Sequence, residues 1–196
     1  MVKYMDNYIK YNFDKQITGI IHTEAEAELV ELKKKCVEES KKNRNTLFKV
    51  IFPTISLYHA LQTQMSKQKA FEHMSKMISN NTKETSRKMY ERISKLPNFF
   101  FLFKKMFVIG LRGEGWDVEW ISNNKTSLEF NVKRCIYNDA FSQYECSELC
   151  ALYCNNDHIT FTDVTPKIRF ERKGALGYGN DICDFHFYAM KKNNNI

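Results

Sequence analysis

Gly115-Trp116-Asp117-Val118-Glu119-Trp120-Ile121-Ser122-Asn123-Asn124-Lys125-Thr126-Ser127-Leu128-Glu129-Phe130-Asn131-Val132-Lys133 is where the hydrophobic period of the chain changes. Trp116, Val118 and Trp120 alternate with Asp117 and Glu119, and after the polar turn Ser122-Asn123-Asn124-Lys125 the pattern repeats as Leu128, Phe130 and Val132 between Glu129, Asn131 and Lys133. Alternate side chains of a strand point to opposite faces, so this pattern predicts a β-hairpin with one buried face.

Upstream the period is helical. Ala25, Leu29, Leu32 and Cys36 share a face after Thr23, a candidate helix cap, and Cys36 reads as core. Leu47, Ile51, Ile55, Tyr58, Leu61 and Met65 recur at three and four, with Pro53 opening a second helix or kinking the first. Ser66 offers another cap before Phe71, Met74 and Met77 or Ile78. Ser79-Asn80-Asn81-Thr82 then punctuates the pattern before Met89, Ile93 and Leu96. Phe99 to Ile109 predicts a buried helix ended by Gly110, Gly113 and Gly115. The apolar run Leu96 to Leu111 contains Lys104 and Lys105 and is shorter than the ~20 residues that span a bilayer.

Downstream, a helical stretch is expected from about Ile136 to Tyr153, then strands at Lys167 to Lys173 and Ile182 to Met190, connected through Gly174, Gly177 and Gly179. Four strands with helices inserted after the second predict an α+β fold: a helical half over about 1–110 packed with an antiparallel sheet of about four strands over about 111–196, together one domain.

Composition narrows the class. Of 196 residues, 43% are hydrophobic and 14% aromatic, with 3 Pro and 7 Gly, which excludes a disordered or linker-rich chain. The charge of +7 comes from lysines interleaved with glutamates, as over Glu24 to Lys42, and reads as solvated helix faces. No basic stripe with stacking aromatics appears, so neither nucleic acid nor membrane is an expected partner; the oligomeric state is left open. The polar and aromatic start, Met1 to Lys10, carries no export pattern, so the expected compartment is the cytoplasm, where six cysteines stay reduced.

Five of those cysteines lie between 135 and 186, with most residues able to do chemistry near neutral pH. Cys135 falls where a strand gives way to a helix, and the positive end of a helix dipole favours a thiolate there. Cys146, Cys150 and Cys154 are four apart and form one stripe on a continuous helix, an arrangement that suits packing of reduced thiols. No CxxC pair is present, so the metal signal is weak, although Cys135, Glu148, Cys154 and Cys183 remain a conceivable zinc set. On the last strand Cys183, Phe185 and Phe187 share one face, whereas Asp184 and His186 share the other. Glu148 and Asp157 are carboxylates suited to acid or base work if desolvated.

Several segments together resemble the L-2-amino-thiazoline-4-carboxylic acid hydrolase family over roughly residues 45–190. They are Phe52-Pro53-Thr54-Ile55-Ser56-Leu57-Tyr58, Gly115-Trp116, Cys135-Ile136-Tyr137, Glu148-Leu149-Cys150, Cys154-Asn155-Asn156-Asp157, Phe170-Glu171-Arg172 and Gly179 to Phe187. The resemblance implies a hydrolase that opens a small cyclic amidine-like acid, 2-aminothiazoline-4-carboxylate, at a carbon–nitrogen bond to give N-carbamoyl-cysteine, without a cofactor. By position it places polar site residues on Cys135, Glu148, Asp157 and Cys183. Arg172 would bind the substrate carboxylate and Cys154 would line the site. The chain departs from the family pattern at Ala175, where a threonine is usual, and at His186, where an arginine is commoner. A looser resemblance is to ligand-binding domains of the vinyl-reductase type, some of which bind zinc through cysteines and a glutamate. Those usually carry a further cysteine about where Ala175 stands.

Overall fold

A computed structural model describes residues 1–36 and 40–190; the part of the Glu24 to Lys42 charge pattern at 37–39 lies outside the described residues. The architecture is α+β, with seven helices and a four-stranded antiparallel sheet among the described residues. The helices are α1 (Lys3–Asn12), α2 (Lys15–Lys34), α3 (41–64), α4 (67–93), α5 (Phe99–Leu111), α6 (Ile136–Gln143) and α7 (Glu148–Phe161). The strands are β1 (Trp116–Asn123), β2 (Ser127–Cys135), β3 (Ile168–Glu171) and β4 (Cys183–Ala189), in the spatial order β1-β2-β4-β3. No helix is long and apolar enough to cross a membrane among the described residues.

The helical half differs from its sequence pattern where local chemistry was outvoted. α1 forms where no helix was expected, and buries Met5 and Ile9. α2 starts at Asp14, whose carboxylate accepts the Ile17 N–H at 2.9 Å, so Thr23 lies mid-helix and donates its hydroxyl back to the Gly19 carbonyl instead of capping. Ser66 caps α4 as expected, but Ser79-Asn80-Asn81-Thr82 does not interrupt it, and the helix continues through a π-helical turn at Lys83–Arg87. A second π-helical turn, Leu47–Ile51, precedes Pro53 in α3. There it accommodates the ring, which carries no N–H to donate.

From Phe52 to Leu61 all but one residue of α3 is buried, His59 being the exception, so α3 is the central helix of the first core. It holds α7 through two polar contacts: the Tyr58 hydroxyl donates to Glu148 Oε1 at 2.8 Å, and the Thr54 and Tyr153 hydroxyls share a hydrogen bond of 2.6 Å. The far end of α7 is held by Arg87, whose guanidinium donates to the Ile159 and Thr162 carbonyls at 2.9 Å each. Those carbonyls have no intrahelical partner, so an arginine in this position caps the helix.

The second core is mostly phenylalanine. Leu128, Phe130 and Val132 of β2 lie against Phe187, Phe185 and Cys183 of β4 in register, with Phe130 and Phe185 stacked at 4.9 Å. Phe103 of α5 packs on Phe187 at 4.8 Å and completes this layer. The expected parity of β4 is present: Cys183, Phe185 and Phe187 are buried, and Asp184, His186 and Tyr188 less so. α5 is not the buried helix its composition predicts. Phe103 points inward, whereas Phe101 is 55% and Ile109 61% exposed. Trp116 and Cys154 pack against both cores, which therefore meet at α7 and the start of β1.

Candidate functional site

The seam between the two cores holds a cavity of about 270 Å³. Its apolar wall includes Phe107 and Leu111 of α5, Phe130 of β2 and Phe185 of β4; Cys135, Cys150, Cys154, Asn156, Asp157 and Cys183 bring polar groups to it, as do Trp116, Tyr137 and Tyr153. A larger depression of about 470 Å³ lies around Cys36, Arg134 and Asp139, but Asp139 there is tied to Arg134 at 2.7 Å. The chemistry is concentrated at the smaller one.

A β-bulge brings Cys135 to it. Asp117 pairs with Arg134 and the next pair is Val118 with Val132, so Lys133 is an extra residue in β2. Simple alternation from Val132 would turn Arg134 inward and Cys135 outward. The extra residue resets the parity, and Cys135 lines the cavity while Arg134 is exposed. As expected, Cys135 stands at the mouth of a helix, α6. The dipole nevertheless loses to burial: the backbone N–H groups of Asn138 and Tyr137 favour the thiolate, but desolvation pushes the thiol up to about 11. Cys135 is protonated at neutral pH.

α6 and α7 are separate helices, because the chain turns at Glu145, which takes the left-handed conformation with φ 55°. The continuous helix expected from Ile136 to Tyr153 is therefore broken. Cys146 drops out of the three-cysteine stripe and is buried in the helical core, its thiol pushed up to about 12 by burial.

Cys150 and Cys154 remain one turn apart on α7, and β4 brings Cys183 beside them. Of the three, Cys154 is the thiol drawn down: the neighbouring Cys150 and Cys183 thiols, the Gly177 N–H and the positive charge of Arg172 favour its ionised form and outweigh desolvation, holding it well below an ordinary thiol. Cys150 and Cys183 are correspondingly driven up, each by its bond to Cys154 and by burial. Gly177 is required by space. A Cβ there would lie 2.8 Å from Cys154 Sγ and 2.8 Å from the Cys150 carbonyl carbon. The loop that carries it is pinned by Asp184, which accepts the Gly174 N–H at 2.5 Å, and by Cys183 Sγ, which accepts the Leu176 N–H at 3.2 Å. It turns at Gly179 with φ 82°.

One turn beyond Cys154, Asp157 lines the same cavity and receives Arg172 Nη1 at 2.5 Å. Burial pushes its carboxyl up to about 7; Arg172 opposes this and the Cys154 thiolate adds to it. Arg172 itself is buried, with Nη2 on the Cys154 carbonyl at 2.7 Å.

Of the residues singled out in the sequence, Cys135, Cys154, Asp157 and Cys183 thus line one cavity. Glu148 does not. It sits at the other end of α7, bonded to Tyr58 and to Lys67 at 2.7 Å, which removes it from the conceivable zinc set. Among the described residues no group of three or more His, Cys, Asp or Glu is arranged to hold a metal ion. Arg172 also lies behind the wall, not in it. Asn156, which sequence reasoning passed over, lines the cavity with its buried Oδ1 lacking a hydrogen-bond partner. Its only signal was its place between Cys154 and Asp157.

The sequence profile described as L-2-amino-thiazoline-4-carboxylic acid hydrolase matches residues 44–187. The chain belongs to the L-2-amino-thiazoline-4-carboxylic acid hydrolase family. No curated protein and no solved structure matches it. Every element that lines the cavity, from α5 to β4, falls inside the stretch matched to the L-2-amino-thiazoline-4-carboxylic acid hydrolase family.

Proposed function

We propose that this chain is a hydrolase that opens a small cyclic amidine such as 2-aminothiazoline-4-carboxylate to an N-carbamoyl thiol, using its own side chains and water. The reading is supported by family membership and carried by one observation. Cys154, the thiol drawn down in its cluster, and Asp157, a carboxyl pushed up to about 7, stand one helical turn apart on the wall of a mostly apolar cavity.

The ring carbon of such a substrate bears two nitrogens and one sulfur. Cys154 Sγ forms a bond to it, and the amidine electron pair moves onto nitrogen. Collapse then breaks the ring carbon–sulfur bond, and the leaving thiolate takes the Asp157 proton. Water adds to the resulting S-linked isothiouronium group and gives a proton to the Asp157 carboxylate. The bond to Cys154 breaks, returning the thiolate, while the added hydroxyl becomes the carbonyl and loses its remaining proton to water, releasing the neutral N-carbamoyl group of the product. The product decides the bond: cleavage of the ring carbon–nitrogen bond, inferred from the family resemblance, would leave the carbamoyl group on sulfur. The cleavage is therefore placed at ring sulfur. Cys150 and Cys183 stabilise the thiolate by donating to it, in place of a direct attack by Cys135 or Cys183. Glu148 braces α7 and takes no part in bond making.

The test is product formation, followed as a gain of one water by mass, from the full chain with 2-aminothiazoline-4-carboxylate and with 2-aminothiazoline. Cys154→Ala is expected to lose at least about 10³-fold in kcat/KM, and Cys135→Ala less than about tenfold. Absence of turnover on both substrates, or full activity in Cys154→Ala, overturns the assignment.

A further inference from the structure

We infer that the ligand class selected by this cavity is a small cyclic amidinium without a carboxylate, which rests on the hydrolase reading above and narrows its substrate. Three observations carry it. First, no Lys, Arg or His is among the described residues that line the cavity. Second, the adjacent cation, Arg172, is committed: Nη1 is bonded to Asp157, Nη2 to the Cys154 carbonyl, and the guanidinium lies 5.2 Å from the centre of the Phe185 ring with the side chain 1% exposed. It lies behind the cavity wall, turned to these partners. Third, the lining is rich in acceptors: Asp157 and Cys154 stand on the wall, and Asn156, beside them, has a buried Oδ1 without a partner.

An amidinium matches that set, since its two nitrogens carry N–H donors and a positive charge that acceptors and anions recognise. A carboxylate meets the opposite conditions. It would be desolvated among Phe107, Leu111, Phe130 and Phe185, beside Asp157, with no cation on the wall to pair it and only the neutral donors of Trp116, Tyr137 and Tyr153 within the lining. The unpaired charge disfavours the acid by on the order of 100-fold relative to the same ring lacking it. Size agrees: a cavity of about 270 Å³ sits below the ~300–1,000 Å³ that drug-sized ligands need.

The experiment compares 2-aminothiazoline with its 4-carboxylate in two readouts: kcat/KM with the wild-type chain, and Kd by calorimetry with Cys154→Ala. The unsubstituted ring is expected to be favoured by about 100-fold in both. Asn156→Leu is expected to weaken its binding about tenfold, and Asn156→Asp, which keeps an oxygen acceptor in place, to retain it. Equal or stronger use of the carboxylate overturns the inference while leaving hydrolysis standing. Selective binding of the unsubstituted ring without turnover of either compound supports the ligand class and overturns the catalytic reading. Binding of neither overturns both.

Discussion

The two ends of α7 carry the same parts and do different things with them. Glu148 pairs with Lys67 at 2.7 Å and Asp157 with Arg172 at 2.5 Å, and both carboxylate side chains are 31% exposed. The cations differ: Lys67 is 60% exposed and Arg172 only 1%. At the Glu148 end burial raises the carboxyl, but Lys67, the helix's own N–H and Tyr58 outweigh it and the group stays ionised below its ordinary range. At the Asp157 end burial wins and a neighbouring thiolate adds to it, so the same pairing leaves a group poised near neutrality. An ion pair therefore does not by itself settle whether a carboxylate is a brace or a proton carrier; what surrounds the pair settles it.

Removing each acid is the severest way to break this comparison. Asp157→Ala leaves the Arg172 charge buried and unpaired and is expected to cost about 3–5 kcal/mol in chemical denaturation. Glu148→Ala costs only about 1–2 kcal/mol, since Lys67 returns to water and Tyr58 loses one acceptor. Equal losses would show that the two ends are energetically alike. Gly177→Ala tests the thiolate that sets the Asp157 end apart. Crowding of Cys154 and loss of the backbone donor should destabilise the fold by about 1–3 kcal/mol. The same change should slow alkylation of Cys154 at pH 6, and an unchanged alkylation rate would remove Gly177 from the account.

The pH profile sharpens the same contrast. Asp157 must hold its proton to give it to the leaving sulfur, so kcat is expected to fall as pH rises through about 7, tenfold per unit beyond it. Asp157→Asn should abolish that limb and Glu148→Gln should preserve it. Its persistence in Asp157→Asn would assign it to another group. The smallest effect belongs to Lys67→Ala, below about 1 kcal/mol and without change in kcat.

How much of this was legible follows from what each feature depends on. The switch of period at Gly115 is a property of consecutive side chains, and it separated the helical half from the sheet and placed the hairpin, as alternation alone placed the inward face of β4; α1 and the continuity of α4 escaped it. The break between α6 and α7 turns on Glu145 in a left-handed conformation without a glycine to announce it. Similarly, the inward turn of Cys135 depends on an extra residue in β2 that only pairing with β1 reveals. For the site, spacing kept Cys154 and Asp157 on one side of a helix. The choice of Cys154 over Cys135 as the thiolate required donors from α7, β4 and the Gly177 loop to converge. Charge state was a tertiary property, and a helix-dipole argument at Cys135 was too local to find it.

The second register shift in β1 has a different consequence. Trp120 pairs with Phe130 and Ser122 with Glu129, leaving Ile121 as an unpaired extra residue at 56% exposure on an outer strand. A flat edge carrying Trp120 and Ile121 would template another chain, and the bulge interrupts the row of donors and acceptors such templating needs. The opposite edge, β3, is only four residues long and carries the Arg169–Glu171 ion pair. Both borders of the sheet are thus guarded against self-association by different means, so deleting Ile121 to restore a regular edge is a change that solution assembly, more than activity, would register.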